Sequence, residues 1–123
     1  MGLDMYAYKT KATLNEATDF STQNVDSEEI AYWRKHPNLH GWMENLYYDM
    51  GGKADSFNCV NVKLDMDDLE NLKEAIENDE LPSTGGFFFG QTDGSEKAGD
   101  LKFVDEAIEA TKEGYTIYYS SWW

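Results

Sequence analysis

Apolar positions recur along this chain with two different periods. From Leu3 to Ala12 apolar and aromatic residues are interleaved with polar ones, and the tyrosine-rich run predicts a strand ending in a lysine–threonine alternation. Asn15 to Asp26 is polar and without period, which predicts a loop. Ser27, followed by two acids, has the makings of a helix cap, so a helix is expected through Glu28 to Lys35. Pro37 ends that helix or opens the next, since proline suits a first helical position. Leu39, Trp42, Met43, Leu46, Tyr47 and Met50 then recur at steps of three and four, the clearest helical stripe in the chain, and Gly51-Gly52 supplies a left-handed stop.

Phe57 to Leu64 predicts a strand with Val60, Val62 and Leu64 on one face. Asp65 caps a helix whose inner face is Met66, Leu69, Leu72 and Ile76, and Leu81-Pro82 closes it. The turn residues Pro82 to Gly86 precede Phe87-Phe88-Phe89-Gly90, a short strand with rings on both faces. Gln91 to Gly99 is a polar loop. Leu101, Val104 and Ile108 mark a last helix that Gly114 stops, and Tyr115 to Trp123 predicts a final strand. The expected order is β-α-α-β-α-β-α-β, with strands too short and too mixed for a doubly wound parallel sheet. The fold class is therefore α+β: a small antiparallel or mixed sheet of about four strands with helices packed on one face. At 123 residues, with no repeat and no linker, residues 1–123 are expected to form a single domain.

Composition narrows the function. Hydrophobic residues make up 41% and aromatic residues 15%, enough to offset ordering entropy by burial. The net charge of −14 opposes duplex DNA and anionic membranes, both of which call for a basic face. It serves solubility or high salt, or else imitates nucleic acid for a basic partner. Cys59, the only cysteine, precludes an intramolecular disulfide and reads as a small hydrophobe in a strand. Nothing approaches a membrane span, and the first residues lack the basic and apolar regions of a signal peptide, so a cytoplasmic location is expected.

Motifs for familiar chemistry are missing. There is no nucleophile elbow, no phosphate loop and no dinucleotide fingerprint. One cysteine with His36 and His40, four apart, does not make a zinc site, and the acids from Asp65 to Glu80 lack the glycine and terminal glutamate of a calcium loop. Neither a metal nor another cofactor is expected. The suggestive cluster is Tyr32-Trp33-Arg34-Lys35 with His36, His40 and Trp42. Arg34 is the only arginine, and its planar fork suits phosphate while stacking on rings. The bland alternative buries Tyr32 and Trp33 and sets Arg34 and Lys35 against a helix C-terminus. His40, one step from core-facing Leu39, is more often an ordinary hydrogen-bonded histidine than a ligand contact. Among Phe87, Phe88 and Phe89, strand alternation sends at least one ring away from the core, to stack a base or meet a subunit.

Several separated blocks carry a resemblance over nearly the whole chain: Met1 to Tyr6, Ala31 to Lys35 with His40-x-Trp42, Leu81-Pro82 with Gly86 to Gly90, and the closing Tyr118-Tyr119-Ser120-Ser121-Trp122. Together they resemble a family of small phage and prophage proteins; His36-Pro37 departs from the smoother helical run expected there. The resemblance implies a phage accessory protein, and one class of these sequesters cyclic nucleotide immune signals of the host. On that reading a small phosphorylated nucleotide is bound and released uncleaved, with Tyr6, Tyr8, Trp33, Arg34, Lys35, His40, Phe87, Phe88 and Phe89 as candidate contacts. The alternatives are an acidic inhibitor of a host protein and a small enzyme using His36 or His40. A homo-oligomer is expected as well, through Tyr118, Tyr119, Trp122 and Trp123, since so many rings are costly to leave in water.

Overall fold

The structure, a computed structural model, describes residues 3–14, 16–20, 22, 25–34, 36–82 and 96–122. In chain order these form β1 (Asp4–Thr10), β2 (Ser27–Arg34), α1 (Pro37–Asp49), β3 (Asn61–Leu64), α2 (Met66–Glu77), α3 (Lys97–Lys112) and β4 (Thr116–Trp122). The strands make one antiparallel sheet of order β2-β1-β4-β3. The α+β class and the small antiparallel sheet are thus as the residue pattern predicts. The expected Phe87 to Phe89 strand lies outside the described residues, as does Lys35.

One element differs. Residues 27–34 form a strand rather than a helix, paired with β1 from Asp4↔Arg34 to Thr10↔Ser27. Ser27 does not cap anything; its Oγ accepts a hydrogen bond from the Tyr118 hydroxyl at 2.7 Å. The segment holds Ile30, Tyr32 and Trp33, residues that fit a pleated, half-buried surface, and cross-strand packing outweighs a local capping signal. Between the pairs Ala7↔Ala31 and Tyr8↔Glu29 the register slips past Ile30, a bulge in the outer strand.

Alternation divides the sheet into two faces. Met5 and Ala7 of β1, Ile117 and Tyr119 of β4, and Val62 and Leu64 of β3 are fully buried against the helices. Each helix contributes a stripe: Leu39, Met43 and Tyr47 from α1, Leu69, Leu72 and Ile76 from α2, and Phe103, Val104 and Ala107 from α3. On α1 the expected stripe is rotated by one position, so Trp42, Leu46 and Met50 flank the core rather than fill it. On α3 Phe103, not Leu101 or Ile108, faces inward, since those two are only partly buried.

The helix ends follow local chemistry. At α2, Asp65 accepts from the Asp68 amide at 2.9 Å while Asp68 accepts from the Asp65 amide at 3.1 Å, a reciprocal cap. Gly51, at φ 93°, turns the chain out of α1, and Gly114, at φ 95°, turns it out of α3. Strand β3 is shorter than expected, because the chain before it bends. Cys59 is exposed at φ 60° instead of lying in a strand, and its amide donates to the Ser121 carbonyl at 2.8 Å.

Candidate functional site

The face of the sheet turned away from the helices carries a row of rings. Tyr32, Tyr6 and Ser120 stand side by side across β2, β1 and β4, with Tyr8 and Tyr118 in the next row but one along the strands. Ring centroids lie 5.2 Å apart for Tyr6 and Tyr32, 6.2 Å for Tyr6 and Tyr8, and 5.1 Å for Tyr8 and Tyr118. Leu14 and Phe20 cover the Tyr118 end, where Phe20 meets Tyr118 edge-on at 5.5 Å. The row therefore runs from a buried ring to an open one: Tyr118 is 3% exposed and Tyr32 is 49% exposed.

Beyond Tyr6 and Tyr32, toward the sheet's other end, the register aligns Arg34, Asp4 and Trp122. Arg34 is exposed and forms no ion pair with a described residue. Trp122 is 65% exposed. The Tyr32 hydroxyl donates to Asp4 Oδ1 at 2.7 Å, and that bond holds its phenol above the ordinary value. Burial, with Glu29 adding to it, does the same for Tyr8. The Tyr32 and Tyr8 hydroxyls thus stay neutral, and Tyr32 and Trp122 are exposed rings near a guanidinium without an ion pair among the described residues.

The expected contact set is split by the sheet. Tyr6, Tyr8 and Arg34 share the open face, whereas Trp33 and His40 lie on the helix side; Lys35, Phe87, Phe88 and Phe89 are outside the described residues. Alternation alone separates Trp33 from Arg34, a separation hidden while the segment is read as a helix. Trp33 packs edge-on against Phe103 at 4.9 Å and its indole N–H donates to Asp100 Oδ1 at 2.9 Å. His40 is buried with its Nδ1 2.8 Å from the Tyr119 hydroxyl, one donating to the other according to tautomer, beside the Phe57 ring at 4.9 Å. Burial pulls its pKa down to about 4, so the imidazole is neutral at ordinary pH. Tyr118 and Tyr119 are buried within the chain, which leaves Trp122 as the described residue of that tail able to offer a subunit contact.

A feature absent from the sequence reading is the buried pair His36–Asp100. Asp100 Oδ2 lies 2.6 Å from His36 Nε2 while its other oxygen accepts from Trp33, and all three flank the helix side of the sheet. The pair borders a cavity of about 190 Å³ lined also by Asn38, Ile76, Asp79, Leu81, Glu96 and Lys97. Sixty-four positions separate the two residues, too far for any spacing signal. No helix among the described residues is long and apolar enough to cross a membrane. Compared with protein-family models, curated proteins and solved structures, the chain matches none of them.

Proposed function

We propose that this chain binds a small phosphorylated nucleotide on the open face of its sheet and releases it unaltered. The observation that carries the reading is a row of rings that opens to solvent at Tyr32, next to an exposed Arg34 that has no ion pair among the described residues. A base stacks on Tyr6 or Tyr32, with Trp122 alongside, and the guanidinium forks onto a phosphate. The rest of the surface, at net −14, repels long polyanions, while a small anion needs only one local cation. In the phage setting implied by the resemblance, the ligand is a cyclic nucleotide immune signal held in the cytoplasm of the infected cell.

An open face leaves much of a small ligand in water, so one chain alone should bind with Kd on the order of 10 µM, about −7 kcal/mol. Tighter capture belongs to a homo-oligomer in which a second copy, laid on through Trp122, encloses the ligand. Light scattering with and without nucleotide reads that step.

The direct test titrates the protein with cyclic GMP–AMP and with mononucleotides, then denatures it and examines the recovered ligand. Arg34→Ala should weaken binding by about tenfold or more, and Arg34→Lys should recover part of the loss because the fork is gone. Tyr6→Ala should cost about 1–3 kcal/mol by loss of stacking. Recovery of cleaved ligand would make the protein an enzyme. Absence of binding to every nucleotide tried, or binding indifferent to Arg34→Ala, removes the proposal.

A further inference from the structure

The two edges of the sheet are treated differently. Along β3 the backbone of residues 17–19 closes the edge: the Lys63 amide donates to the Ala17 carbonyl at 2.8 Å and the Asp19 amide to the Asn61 carbonyl at 3.1 Å, around a bridge from Thr18 to Val62. At the other edge β2 pairs with β1 alone among the described residues. Alternate residues of an eight-residue strand therefore aim their backbone N–H and C=O groups away from the sheet.

A groove runs beside that open edge, between β2 and α3. Two hollows of about 300 and 410 Å³ compose it, and Ile30 and Glu106 line both. Its floor is apolar, built from Ile30, Trp33 and Phe103. Its charged lining is acidic on balance, since Glu96, Asp105, Glu106, Glu109 and Glu113 outnumber Lys9 and Lys102. An open strand edge, an apolar floor and a lining acidic on balance thus lie together.

We propose that this surface takes up an extended, basic segment of a partner protein as a fifth strand. The β2 backbone supplies the ladder hydrogen bonds, as in other recognition by strand addition. On the side facing α3, the alkyl stems of lysine or arginine side chains cover Ile30 and Trp33 while their heads reach those carboxylates. Charge chooses the occupant. A second copy of this chain would bring another acidic lining and another −14, and Glu28 and Glu29 on the edge itself repel an identical strand. A basic strand meets net attraction there, even with Glu28 facing Lys9 at 3.5 Å and Glu109 facing Lys112 at 3.5 Å. The groove shares Tyr32 with the ring-bearing face but not Tyr6, so Tyr6→Ala should weaken nucleotide binding and leave the peptide bound, which separates this inference from nucleotide binding.

The test uses the isotope-labelled full chain and three acetylated peptides: alternating Lys-Val, alternating Glu-Val, and the Lys-Val peptide N-methylated at alternate residues. The Lys-Val peptide should shift the amides of β2 and the α3 face saturably, and added salt should weaken it. N-methylation should reduce its affinity by about tenfold or more, because it removes the ladder bonds. So should Gly99→Phe, since Gly99 lines the groove and space is open where its Cβ would stand. Glu106→Lys, an exposed change that leaves the fold alone, should do likewise while nucleotide binding is unchanged. Equal binding of the acidic peptide, indifference to N-methylation, shifts confined to another face, or no binding of the basic peptide would each overturn the proposal. So would concentration-dependent self-association that shifts the β2 amides and is abolished by Gly99→Phe, since a second copy would then occupy the groove.

Discussion

His40 is a residue whose surroundings decide its chemistry. Buried against Phe57 and Tyr119, it is held neutral, with a pKa of about 4 against the ordinary 6.5. Tyr119 beside it is held well above its ordinary value by burial, so neither group of the pair ionises near neutrality. The sign of the linkage follows. Between pH 6.5 and 4 the unfolded chain binds a proton at His40 that the folded chain does not, so stability rises with pH in that window. From pH 7.5 down to 4.5 the protein should lose about 2–3 kcal/mol through this group alone. Urea unfolding of His40→Gln at both pH values checks it, since the difference between the two should shrink by that amount. An unchanged difference would mean that the acid sensitivity lies with the carboxylates. Arg34 is the contrasting case: exposure leaves its chemistry to whatever arrives.

At the scale of elements, Asp100 is the knot. From the first turns of α3 it reaches Trp33 of β2 and His36 at the start of α1, and it is 2% exposed. Asp100→Ala should leave a part-buried indole N–H and a buried imidazole without this partner, at a cost of about 3–5 kcal/mol. Asp100→Asn keeps one carbonyl oxygen and should cost less, about 1–3 kcal/mol. Denaturant midpoints of the two variants test that order, and an equal loss would show that the charge, not the acceptor, holds the elements together. The elements themselves were unequally readable. Helices α1 and α2 announce their period within one segment, and Asp65 caps α2 as its neighbours predict. Strand β2 does not, because Ser27-Glu28-Glu29 resembles a cap and only pairing with β1 makes the segment extended.

The whole molecule carries its charge as a standing cost. With 24 acids and 10 bases, ion pairs such as Lys73–Asp105 at 3.0 Å and Lys97–Asp79 at 3.2 Å offset only part of the repulsion. Added salt should therefore stabilise the fold, by about 1–2 kcal/mol between low ionic strength and roughly 0.5 M sodium chloride, where charges beyond a few ångströms are screened. Thermal melting across that range reads it; a melting temperature falling with salt would mean that the pairs outweigh the repulsion. By itself the sequence determined the α+β class, the acidic field and the two well-marked helices, because composition and short-range period are local properties. Only the tertiary structure decided that Arg34 shares a face with Tyr6 and Tyr8 while Trp33 and His40 lie behind the sheet. The same holds for the approach of His36 to Asp100 and for which sheet edge is open among the described residues. Strand pairing and register are non-local, and a shift of one residue, or one segment extended instead of helical, carries every side chain to the opposite face.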